Sequence, residues 1–152
     1  MTRFLVTNAN GYIALHIVDQ LLKEGHFVRC SVRNVRDDKS IAPLLKYGPT
    51  SMKQLELVEA DLLEPDSWID AVETIDIVIH VINPSPIDRP GDGQGLMKPS
   101  ISGTINVLNA AANSNVKRVI VNSSASTMFG SCPQNKIYDE TDWAEVFSNK
   151  KR

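Results

Sequence analysis

The chain predicts an α/β fold, a doubly wound parallel sheet in a single domain, and three observations carry it. Short apolar runs alternate with amphipathic stretches in the order βαβαβαβαβ. The connections between them are short, which favours parallel strands with crossover helices on both faces. The fourth run, Ile75 to Ile82, is almost wholly apolar, as a central parallel strand covered on both sides should be.

Each element has its own warrant. Phe4 to Thr7 is a short buried strand. From Gly11 to Glu24, Ile13, Ile17 and Leu21, then Val18 and Leu22, recur at helical spacing, and Gly25 supplies the stop. Phe27 to Val32 forms the second strand. Asp38 to Tyr47 reads as a short helix despite Pro43. Gln54 to Ala60 alternates and then turns apolar, giving the third strand. Pro65 opens a short helix through Trp68 and Val72. Asn83 to Gly95 is a Pro/Gly-rich loop. Met97 to Ala112 is a long helix with Ile101, Ile105 and Leu108 on one side, and Val116 to Asn122 is the fifth strand, ending at Ser123-Ser124.

Composition narrows the function classes. The chain has 152 residues, 42% hydrophobic and 22% charged, and a formal net charge of −2. That balance offers no basic face for nucleic acid. The terminal Lys150-Lys151-Arg152 run is read as a solvated end. No stretch reaches the length of apolar residues a bilayer requires. Met1-Thr2-Arg3 leads straight into the first strand, so no signal peptide is expected there. Two cysteines, Cys30 and Cys132, make no disulfide scaffold, and a reducing, cytoplasmic setting is expected. His16, His26 and His80 lack metal-ligand spacing among themselves or with the cysteines, so no metal is expected.

The segment Val6 to Ala14, VTNANGYIA, lies between the first strand and the first helix. A strand, a tight turn and a helix N-terminus together form an anion site, because free N–H groups and the helix dipole converge there. The glycine trio of a dinucleotide turn is incomplete: Asn8 stands first, and Gly11 and Ala14 complete it. Asparagine is the non-glycine residue that best tolerates positive φ, and its amide would lie near the phosphates. A tight turn without a ligand is the competing reading. The end of the second strand reads Arg29-Cys-Ser-Val-Arg33, with Arg36 and Lys39 following and no acid before Asp37. An arginine there suits the extra phosphate of NADP, whereas a carboxylate would suit NAD. A solvated basic turn is the alternative.

With these motifs in hand, the chain resembles the N-terminal part of an extended short-chain dehydrogenase/reductase (NAD-dependent epimerase/dehydratase superfamily), most like the dihydroflavonol 4-reductase and cinnamoyl-CoA reductase group. The matching segments are VTNANGYIALHIVDQLLKEGH, the arginine of CSVRN, Asp61-Leu62, VIHVINPSP, MKPSISGTINVLNAA and VKRVIVNSSAS. The resemblance implies a Rossmann-type domain over residues 1–152 without the substrate-binding C-terminal portion. It implies that Thr7, Asn8, Asn10, Gly11, Tyr12 and Ile13 line the pyrophosphate turn and that Arg33 meets the 2′-phosphate of NADP(H). Asp61 and Leu62 would flank the adenine, and Val81, Ile82 and Asn83 would pass beside the nicotinamide ribose. Ser124 would be the catalytic serine, with Ser123 beside it.

The chain departs from the group at Asn8, where the family has glycine, and at Ile82, Asn83 and Asn122, where it has smaller or hydroxylic residues. These changes predict weakened cofactor binding. The family reaction, hydride transfer between nicotinamide C4 and a carbonyl carbon, uses a tyrosine as proton donor with a lysine four residues on. Here Tyr12, Tyr47 and Tyr138 are followed at that place by His16, Ser51 and Asp142. Ser124 has no nucleophile-elbow context either. The expectation is an NADP(H)-binding domain of a reductase that is catalytically incomplete as this chain. The alternative is a non-catalytic nucleotide-binding or interaction module that self-associates through the Met97–Ala112 helix.

Overall fold

A computed structural model describes residues 1–47, 54–81, 94–129 and 136–143. The chain divides into two units, Met1–Asn122 and Ser123–Arg152. The first unit holds a five-stranded parallel sheet in the order β3-β2-β1-β4-β5. Its strands are β1 (Arg3–Val6), β2 (Phe27–Val32), β3 (Leu55–Glu59), β4 (Ile77–His80) and β5 (Arg118–Val121). Its helices are α1 (Tyr12–Lys23), α2 (Asp38–Leu45), α3 (Ser67–Val72) and α4 (Gln94–Ala112). The expected α/β architecture and every expected element are present, with ends shifted by a few residues.

One helix start moves and one helix end stays in place. α4 starts at Gln94, earlier than expected, which leaves Pro99 inside the helix, where its missing N–H removes one i→i−4 bond. Gln94 and Gly95 therefore belong to the helix, and the rest of the expected Asn83–Gly95 loop lies outside the described residues. α1 stops where the sequence says it should. Gly25 has φ +79°, its N–H donates to Leu22 O at 3.1 Å, and the N–H of His26 donates to Leu21 O at 3.0 Å. That pair of bonds closes a Schellman end, which a residue with a Cβ would strain.

Successive residues of β1 point to opposite sheet faces, and each seeds its own core. Val6 packs with Ala14, Val18, Val28, Cys30 and Leu44 under α1 and α2. Leu5 packs with Trp68, Ala71, Val78, Val107 and Ala111 under α3 and α4. Cys30 is buried, as expected, and burial pushes its thiol up to about 12, so it is inert as a nucleophile.

Arg29 belongs to the strand-end sequence that raised the NADP question, yet its side chain is only 9% exposed. It pairs with Glu56 on the neighbouring strand at 2.9 Å and donates to the carbonyls of Asp70, Ala71 and Glu73 at the end of α3. A cation there satisfies terminal carbonyls and opposes the negative end of the helix dipole. It is a structural clamp between β2 and α3.

In the second unit the sequence suggested no element, but a single helical turn, α5 (Ser126–Phe129), follows the serine pair. Thr127 Oγ1 donates to Ser124 O at 2.7 Å there, a local side-chain bond that competes with extended structure. No helix among the described residues is long and apolar enough to cross a membrane.

Candidate functional site

The chain leaves β1 for β2 on one side and reaches β4 on the other, so the sheet reverses direction between β1 and β4. In open parallel sheets such a switch point leaves a crevice at the carboxyl ends of the strands. The loop that follows β1 turns back sharply. Asn8 sits at φ +50°, in the left-handed region foreseen for it, and Gly11 N donates to Asn8 O at 2.9 Å. A Cβ on Gly11 would lie 3.0 Å from Asn8 Nδ2 and 3.1 Å from Asn8 O, so glycine lets the Asn8 turn close. Gly11 then serves as the N-cap of α1 with no side-chain capping bond and no acid in the first turn. The positive end of α1 is therefore open to an anion. Ala14 is fully buried against the sheet, the close helix–strand contact its small size allows.

A cavity of about 570 Å³ opens beside this turn. Its walls include Asn8 and Asn10 from the β1–α1 loop, Arg33 from the end of β2, and Asp61 and Leu62 after β3. The structure thus brings five of the sequence-selected residues to one hollow. Arg33 is 84% exposed, and its Nε lies 3.4 Å from Asp61 Oδ2. Asn10 Nδ2 donates to Ser40 Oγ at 2.6 Å, tying the turn to the first residues of α2. Asp37 caps α2 by accepting from Ser40 N at 3.2 Å.

Other selected residues lie elsewhere. Tyr12 and Ile13 begin α1 with side chains largely in solvent. Thr7 is fully enclosed and already engaged: its Oγ1 accepts from Val81 N at 3.0 Å and lies 2.9 Å from His80 Nδ1. Val81 is buried in the core under α1. Ile82, Asn83 and Cys132 fall outside the described residues. Ser123 and Ser124 are in the second unit, where they border a hollow of about 360 Å³ with Thr127, Met128, Glu140, Asp142 and Trp143. Lys136 pairs with Asp142 in that unit, so Asp142, at the place a family lysine would hold after Tyr138, is itself engaged by a lysine.

His80 connects the switch point to α4. Thr104 Oγ1 donates to Ser100 O at 2.7 Å and lies 3.4 Å from His80 Nε2. The network assigns the proton to Nε2, since the Thr104 hydroxyl hydrogen is committed to Ser100. Nδ1 then accepts from Thr7. Burial pushes the imidazole down to about 4, which keeps it neutral. Among the described residues no group of three or more His, Cys, Asp or Glu could hold a metal ion.

Ser40, Pro99 and Trp68 also line the hollow, though none was selected for it from the sequence. Ser40 and Pro99 reach the cavity only because α2 and α4 fold over it. Trp68 is 1% exposed and also donates from Nε1 to Asp61 O at 2.9 Å, fixing the backbone next to Arg33. The signal for Trp68 was present in its place just after the Asp61 turn, but a buried indole needs a partner that only the fold reveals.

Known proteins agree with this geometry. Residues 9–152 match the family model described as NAD(P)H-binding. The chain is 34% identical over 142 residues to a dihydroflavonol 4-reductase of Arabidopsis thaliana, covering 93% of this chain and 37% of that protein. It is 35% identical over 148 residues to a putative anthocyanidin reductase of Ginkgo biloba, covering 95% of this chain and 43% of that protein. Among solved structures, yeast methylglyoxal/isovaleraldehyde reductase Gre2 complexed with NADPH superposes with a TM-score of 0.81 at 25% identity, over 97% of this chain and 45% of that one. The chain therefore spans less than half the length of these relatives, and the resemblance to the dihydroflavonol 4-reductase group holds over that part. Fold, turn geometry and similarity agree: the chain belongs to the NAD(P)H-binding family.

Proposed function

We propose that this chain is the NADP(H)-binding domain of a dihydroflavonol-reductase-like oxidoreductase acting on carbonyl or alcohol groups, and that it prefers NADP(H) to NAD(H). The observation that carries the reading is the 570 Å³ hollow in which the Asn8 turn and the Arg33 guanidinium face the same space. The open α1 N-terminus, with Asn8, Asn10, Gly11, Tyr12 and Ile13, suits a pyrophosphate. Arg33 suits a 2′-phosphate, since guanidinium recognises phosphate through paired N–H donors. Asp61 and Leu62 then flank the adenine, and Thr7 acts from beneath by holding the backbone of Val81.

When bound, the cofactor supplies a hydride. In this reading Ser124, with Ser123, holds the substrate oxygen by hydrogen bonding. These 152 residues contain no Tyr-x-x-x-Lys to carry the proton, so the chain by itself binds nucleotide without turning substrate over. A cytoplasmic location suits its two-cysteine composition. Calorimetric titration with NADPH and NADH tests the reading. Saturable NADPH binding, weakened by Arg33→Ala far more than NADH binding is, supports it. No saturation by millimolar nucleotide, a binding free energy no better than about −4 kcal/mol, would end it.

A second reading, self-association through α4, is favoured by one observation. Ile101, Ile105 and Leu108 form an apolar ridge on α4 that is 54%, 50% and 41% exposed. From Pro99 to Val116 the chain carries no charged side chain. Loss of charge around exposed aliphatics is the composition of an interface core.

A further inference from the structure

The nucleotide hollow is unevenly charged. Among its described lining residues Arg33 is the one cation, and it faces two acids, Asp37 and Asp61. The acids are held differently. Asp37 caps α2, where the helix dipole offsets its charge. Asp61 accepts from Leu63 N through Oδ1 at 2.9 Å, and its Oδ2 faces Arg33 Nε at 3.4 Å. The Arg33 and Asp61 side chains are 84% and 36% exposed, so the pair is wet and easily exchanged.

We propose that Asp61 sets the preference between nucleotides with and without a 2′-phosphate by competing for Arg33. The inference rests on the nucleotide-binding reading above. A 2′-phosphate must draw the guanidinium away from Asp61 and then sits near a carboxylate that has lost its counterion. A nucleotide with a free 2′-hydroxyl leaves the ion pair in place. Asp61 therefore penalises the phosphorylated nucleotide and spares the other, so it tunes selectivity rather than overall affinity.

A double-mutant cycle read as the ratio of the NADH to the NADPH dissociation constant tests this. The members are the unaltered chain, Asp61→Asn, Arg33→Ala and the double variant. Asp61→Asn keeps the Oδ1 acceptor for Leu63 N, so the loop geometry is retained. It should raise the ratio roughly five- to tenfold. In the Arg33→Ala background the same change should move the ratio less than about twofold. Asp37→Asn, which preserves an N-cap, should also leave it within about twofold. An equal rise with and without Arg33, or as large a rise from Asp37→Asn, would mean a general charge effect and overturn the proposal. So would equal weakening of both nucleotides by Asp61→Asn. Failure of the unaltered chain to bind either nucleotide overturns the cofactor reading itself, a result distinct from an unmoved ratio.

Discussion

The Thr7 hydroxyl, 2.9 Å from His80 Nδ1, joins the end of β1 to the end of β4 at the point where the sheet reverses. The same oxygen accepts the Val81 N–H, so one side chain satisfies two buried groups beside the switch-point crevice. His80, held near a pKa of 4, takes up a proton in the unfolded chain at higher pH than in the native state. Its folded pKa lies below its ordinary value of 6.5, so stability is complete above that pH and is lost as pH falls toward 4. The loss is about 3 kcal/mol. Urea unfolding from pH 7 to pH 4 should show a steeper decline in the unaltered chain than in His80→Gln. Parallel curves would remove His80 from the acid sensitivity.

Arg29→Ala removes the guanidinium that the carbonyls of Asp70, Ala71 and Glu73 at the end of α3 share. The expected destabilisation is about 3 kcal/mol, because the lost bonds are charge-assisted and largely enclosed. Chemical denaturation measures it. A change under about 1 kcal/mol would place Arg29 among ordinary surface residues.

At Asn8 the backbone is left-handed, and the side chain lies against Gly11. Asn8→Ala should destabilise by about 1 kcal/mol, since alanine tolerates positive φ poorly. Asn8→Gly should be neutral or stabilising by under about 1 kcal/mol, relief of strain opposing the added freedom of the unfolded chain. Equal loss in both variants, followed by thermal unfolding, would show that the amide and not the backbone matters.

Gly103 packs so closely on the Asp61 loop that an added Cβ would lie 2.8 Å from Leu62 Cβ and Cδ2. Glycine-to-alanine changes usually stabilise a helix interior by up to about 1 kcal/mol. Here Gly103→Ala should instead cost about 1–3 kcal/mol through overpacking. Because Leu62 lines the hollow proposed for the nucleotide, NADPH affinity should fall as well. A stabilised variant with unchanged affinity would contradict the contact.

The α4 ridge predicts concentration-dependent association. Sedimentation of the unaltered chain at tens of micromolar, on the order of common assay concentrations, should show a dimer or larger species. Ile105→Lys should shift it to monomer. A clean monomer from the unaltered chain would dismiss the interface.

The legible part of the fold was its periodic part. Val18 and Leu22 of the α1 stripe, the Gly25 stop and the apolar β4 run follow from helical and strand periods, which depend only on near neighbours, whereas Ile13 of the same stripe is half exposed. The Asn8 turn was legible too, because backbone strain at positive φ is a local property. What the sequence left open was which side chains meet. It placed Arg29 in the same basic strand end as Arg33, and strand alternation puts both on one face, yet α3 covers Arg29 and makes it a buried clamp, while Arg33, past the end of β2, reaches the hollow. It marked Thr7 by its position in the turn but could not show that His80, in β4, would face it. Ser40, Trp68 and Pro99 joined the hollow for the same reason. Local sequence determined the elements and the turn chemistry of this nucleotide domain. Partnership across the sheet depends on strand order and register, which arise from packing the two apolar cores, so the Arg33–Asp61 and Thr7–His80 pairs were decided only by the tertiary structure.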